Sequence, residues 1–138
     1  MDINSELEPL TVYNYEVSST MDTLVKCVLK RIPDSYAEEF PPFSVFESRS
    51  PWYAHVEHED LEEEGKVFCD PRLLNMPKNV AIGTLAHEFA HLFLGHTGRG
   101  GLRDEYQADE LACQWGFTEE IRTMRRHSGP PTEKRGQT

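Results

Sequence analysis

Five residues, His87-Glu88-Phe89-Ala90-His91, constrain this chain more than any other stretch in it. Around them Ile82, Leu85, Ala86, Phe89, Leu92 and Phe93 recur at three- and four-residue steps, which predicts an amphipathic helix over residues 79–94 with one apolar face. His87 and His91 are four apart and point the same way, one turn above the other. Two imidazoles so placed can share one Zn²⁺. Glu88 lies beside the first of them and can act on water at the metal without ligating it. The rival account is two surface histidines on an ordinary helix. Average residue usage yields the H-E-x-x-H pattern by chance in roughly a few of every thousand chains of this length, which favours the metal account.

A catalytic zinc keeps three protein ligands and one open position, so a third ligand is required. After residues 95–101, rich in glycine, a second helix is expected from about Leu102 to about Trp115. Glu105 and Asp109 are again four apart. Antiparallel packing of the two helices would bring Glu105 toward the metal and Asp109 toward one ligand histidine. A carboxylate on the far ring nitrogen of a ligand histidine fixes its tautomer and raises its basicity. Isolated, these acids would be read as solvated helix residues; after H-E-x-x-H and a glycine turn they are candidates for ligand and support.

His87-Glu88-x-x-His91 followed by Glu105-x-x-x-Asp109 resembles the gluzincin metallopeptidases. The phrase ending Leu94-Gly95-His96 is similar to the ImmA/IrrE family, and the segment from Glu105 to Ala112 to the soluble, HtpX-like minigluzincins. The resemblance covers residues 66–117. It lacks the helix-turn-helix module that ImmA/IrrE proteins often carry and the membrane helices of the HtpX-like enzymes. It implies a minimal zincin-like fold, one Zn²⁺ per chain on His87, His91 and Glu105, Glu88 as general base, and Asp109 as support behind a histidine. It also implies that residues 66–69 are the edge strand on which a substrate peptide lies, and that the substrate is a regulatory protein such as a repressor.

At 138 residues the chain is expected to form a single domain over residues 1–128, with residues 1–18 flexible or a short strand and 129–138 a disordered tail after Pro130-Pro131. No run reaches transmembrane length, the acidic start lacks the order of a signal peptide, and Cys27, Cys69 and Cys113 are odd in number and scattered; a cytoplasmic protein is expected. The formal charge of −10 argues against non-specific nucleic-acid binding. A protein or peptide substrate is the expected partner, with no nucleic acid and no membrane.

Met21, Leu24, Val25, Val28, Leu29 and Ile32 predict a core-facing helix over residues 20–32, capped by Ser19 or Thr20 and stopped by Pro33. Residues 43–47, 52–56 and 66–69 read as short strands, rich in aromatic and β-branched side chains. Residues 57–64 form an acidic loop, better explained by solvation than by steering of basic partners. Thr118 is placed to cap a last helix opening on Glu119 and Glu120. The expected fold class is α+β, a small mixed or antiparallel sheet packed on helices.

His96, five beyond His91, is expected to turn away from the ligand face and to cap the helix C-terminus. Tyr106 is a candidate for polarising a scissile carbonyl, as is either His55 or His58; Cys69 could reach the metal but fits better as a buried apolar thiol. The leading expectation is a zinc-dependent peptidase. Its rivals are a zinc-binding interaction or pseudoenzyme module, against which the presence of Glu88 argues, and a helical adaptor without metal.

Overall fold

The computed structural model describes residues 10–57, 64–96 and 101–132. The expectations for the first nine residues, for His58 and most of the acidic loop, for the middle of the glycine turn and for the last six residues lie outside that range.

The elements run β1 (Val12–Glu16), α1 (Ser19–Leu29), a single turn α2 (Asp34–Ala37), β2 (Phe43–Glu47), β3 (Ala54–Glu57), β4 (Gly65–Cys69), a 3₁₀ turn (Pro71–Asn75), α3 (Lys78–Leu94), α4 (Leu102–Ala112), a π turn (Cys113–Phe117) and α5 (Thr118–Ser128). Helices and a mixed sheet make this an α+β fold. The strand order is β1-β2-β4-β3, with β1 and β4 parallel to β2, and β3 antiparallel to β4. β4 is therefore interior, hydrogen-bonded on both sides, and cannot be the edge strand expected of residues 66–69. The rim belongs to β3. Strand order was beyond reach because β4 inserts between two strands that precede it in the chain.

Alternation along the strands sorts the side chains. Phe43, Val45, Ala54, Val67 and Cys69 are buried toward the helices. The opposite face carries Phe46 stacked on Phe68, and Phe68 stacked on His55 with ring centroids 4.9 Å apart. α1 begins one residue earlier than expected, because Ser18 Oγ accepts from the Met21 N–H at 3.2 Å and is the true N-cap. Thr118 does not cap α5. It is the first helical residue, and its hydroxyl donates back to the Cys113 carbonyl at 3.4 Å.

α3 departs most instructively from its expected form. Burial is not confined to one face: residues 80–83 and 85–92 are all buried, so α3 is the hub around which the molecule packs. Its neighbours are β3 and β4 on one side and α1, α4 and α5 on the others. Phe89 meets Phe43 of the sheet with ring centroids 5.6 Å apart. At Gly83 the helix meets α5 at backbone contact. A Cβ built there would fall inside the Glu120 carbonyl group and lie 3.0 Å from the Met124 Cβ. Among the described residues no helix is long and apolar enough to cross a membrane.

Candidate metal centre

Two helices and one turn build the site. α3 carries His87 and His91 on adjacent turns, and Gly95, at φ 71°, ends the helix in the left-handed region. α4 then packs back against α3 and presents Glu105 from its first turn. Among the described residues one group of His, Cys, Asp or Glu side chains could hold a metal ion: His87, His91 and Glu105, all buried, with ligand atoms within 4.8 Å of one another.

The atoms converge closely. His87 Nε2 lies 3.1 Å from Glu105 Oε1 and 3.0 Å from His91 Nε2, and His91 Nε2 lies 2.9 Å from Glu105 Oε2. Behind His87, Asp109 Oδ1 accepts from the ring Nδ1–H at 2.7 Å. In the neutral ring that bond leaves Nε2 with a lone pair facing a carboxylate and a second imidazole. Three electron-pair donors crowded at this spacing repel one another unless a cation or proton lies between them. The donor set, two imidazole nitrogens and a carboxylate oxygen, suits a borderline divalent ion.

The electrostatics agree with that demand for positive charge. Burial alone would push the His87 pKa down, but hydrogen bonds to Asp109 and Glu105 and the nearby Glu88 charge outweigh it and push it up to about 9. Burial opposes ionisation of Glu105 too, yet its hydrogen bonds with His87 and His91 pull its pKa well below the usual carboxylate range. His91 is pushed down, first by burial and then by the neighbouring His87.

Glu88, one residue beyond His87, is buried and stands outside the donor group. It lines a cleft of about 540 Å³ whose walls include Trp52 and Ala54 at the β3 rim, Arg72, Thr84, His87, Glu105, and residues Met124, Arg125 and His127 of α5. Pro130 and Thr132 line it as well, so the segment expected as the start of a disordered tail is placed along the cleft.

His96 is not turned away. The chain reverses at Gly95 and lays His96 over His91, with Nδ1 to Nδ1 at 2.9 Å, while its Nε2 lies 3.0 Å from Gln107 Oε1. Tyr106 is 53% exposed and is not part of the cleft wall, since the residue after an inward-facing Glu105 is rotated outward on a helix. His55 is also off the cleft. It follows Ala54 on β3 and so faces the other side of the sheet, where it meets Ser50 Oγ through Nδ1 at 2.7 Å and Glu57 through Nε2 at 3.2 Å. Cys69 is fully buried and absent from the donor group; burial first, then the Glu88 and Glu47 charges, push its thiol up to about 12.

Arg125 is a member of the site that carries no signal in the sequence. Its Nε and Nη2 donate to Asp109 Oδ2 and Oδ1 at 2.8 and 2.9 Å. Each candidate histidine ligand is thus backed through its far nitrogen, one by a carboxylate held by arginine and the other by a second imidazole. In comparisons with known proteins, no family model, no curated protein and no solved structure matches this chain.

Proposed function

We propose that this protein is a zinc-dependent peptidase that hydrolyses peptide bonds in a protein substrate, with His87, His91 and Glu105 holding one Zn²⁺. The observation that carries this reading is the placement of Glu88. A buried carboxylate adjoins the donor group, belongs to the same cleft and takes no part in the triad. A purely structural zinc has no use for such a base, whereas hydrolysis requires one.

Zinc in this site would polarise a carbonyl and bring the pKa of water toward neutrality. The chain's own residues do the rest. Glu88 accepts a proton from the attacking water as the new C–O bond forms. It returns that proton to the amine as the C–N bond breaks, so the carboxylate is regenerated. Asp109 holds His87 in the tautomer that leaves Nε2 free to ligate, and His96 backs His91. The substrate would pass between the β3 rim at Ala54 and the wall formed by α5 and residues 129–132.

Zinc content of protein purified without added metal, with cleavage of fluorescent casein measured on the same preparation, tests the reading. About one equivalent of zinc is expected, with cleavage abolished by a chelator and restored by zinc. His87→Ala and Glu105→Ala should each lose most of the metal. One equivalent of zinc with no cleavage of any protein offered would favour the binding-module reading. Absence of zinc binding would overturn both.

A further inference from the structure

We propose that Arg125 is a positioning residue for the metal centre: its guanidinium fork fixes the Asp109 carboxylate, which in turn fixes the ring of His87. The inference rests on the metal reading and adds α5, a helix that supplies no metal donor, to the parts that set metal affinity. Three observations carry it. The first is the fork, in which both Asp109 oxygens accept from Arg125 while Oδ1 also accepts from His87 Nδ1. The second is shelter. The Arg125 and Asp109 side chains are only 22% and 15% exposed, so their charge-assisted bonds escape much of the screening that weakens surface pairs.

The third is how α5 is held. It approaches α3 at backbone contact over Gly83, one turn before His87 on the same helical face. Its first turn is anchored separately, where Arg31 donates to Glu120 at 2.8 Å and to the Gly116 carbonyl at 2.9 Å. Arg125, one turn beyond Ile121, is thereby delivered to Asp109 by a rigid contact rather than by a flexible arm. A surface pair formed for solubility would need none of this. Arg122 on the same helix is such a pair, exposed with Glu119.

The test measures zinc affinity of the full chain by competition with a chromophoric chelator, together with the visible absorption of the Co²⁺-substituted protein, both without substrate. Arg125→Ala should weaken zinc binding about tenfold or more and alter the cobalt spectrum, within the range of about 10–100-fold expected when a ligand's supporting partner is lost. Arg125→Lys keeps charge and stem but cannot span both oxygens, so it should recover part of that loss. Asp109→Ala should be as weak as the Asp109→Ala/Arg125→Ala pair, because one residue acts through the other. Arg122→Ala should leave zinc affinity unchanged.

Unchanged affinity in Arg125→Ala, or losses that add in the double variant, would overturn the inference and leave the peptidase reading intact. If Arg125→Ala does not fold, wild-type zinc affinity and an unaltered cobalt spectrum in Arg125→Lys overturn it equally. Zinc binding absent from the wild-type chain would overturn both.

Discussion

His87 turns Nδ1 toward Asp109 and Nε2 toward Glu105 and His91, so the adjacent Glu88 stands outside the donor group, facing the cleft. Glu88→Gln tests this division. The amide keeps the shape of the side chain but cannot take a proton from water. Zinc content should stay at the wild-type level while casein turnover falls about 10²–10⁴-fold, the usual worth of a general base. Metal and turnover measured on one sample decide it, and full turnover would sink the peptidase reading. The convergence of His87, His91 and Glu105, with Asp109 behind His87, was legible because 87 and 91, and 105 and 109, are each one helical step of four apart. Tyr106 and His55 illustrate the same rule in reverse, since each follows a residue turned toward the site. His96 was recoverable in principle, because a glycine at a helix end in the left-handed region turns the chain back on itself. Arg125 was not recoverable. It is 38 residues from His87, beside Arg126 and near Arg122, and only the packing of α5 selects it.

At the scale of elements, the contact between α3 and α5 depends on a missing side chain. Gly83→Ala would gain about 1 kcal/mol of helix propensity. It would also force apart two backbones, because the obstructing atoms belong to the Glu120 carbonyl rather than to a yielding side chain. Overpacking costs about 1–3 kcal/mol, and an obstructing backbone puts this site in the upper part of that range, about 2–3 kcal/mol. Less the propensity gain, a net loss of about 1–2 kcal/mol is expected, seen as a melting temperature lower by roughly 3–8 °C. A melting temperature equal to or above wild type would show that α5 shifts freely. Elements themselves were largely legible: β2, β4 and α3 lie within about a residue of where period and composition put them. Their arrangement was not. An interior glycine in a helix gives no hint of which helix crosses there, and the strand pattern of β4 reads the same at an edge as in the middle.

For the whole molecule, the rim of the cleft hangs on one buried carboxylate where the sheet leads into α3. Asp70 accepts from the Arg72 N–H at 2.8 Å, from Arg72 Nε at 3.0 Å and from the Ser50 N–H at 2.9 Å, while its own N–H donates to the Tyr53 carbonyl. Arg72 Nη2 reaches the Ser50 and Trp52 carbonyls in turn, so strand end, rim and helix lead-in share one knot. Burial opposes the charge on Asp70, but the hydrogen bonds from Arg72 and Ser50 outweigh it and hold the pKa down at about 2, from an ordinary 3.8. A carboxylate whose pKa is depressed by folding stabilises the folded state above its unfolded pKa, and that contribution fades as pH falls through the folded value. The contribution should therefore be complete above about pH 4 and lost near pH 2. Discounted for solvent around the half-exposed Arg72, it is about 1–2 kcal/mol. Asp70→Asn should be less stable than wild type by about that amount at pH 7, with the gap narrowing below pH 4 and closing toward pH 2. Any acid sensitivity of the His87, His91 and Glu105 group is common to both proteins and cancels in the difference. Denaturant unfolding of the two proteins across that range measures the gap, and one that stays constant with pH would show that Asp70 holds the rim by shape rather than by charge.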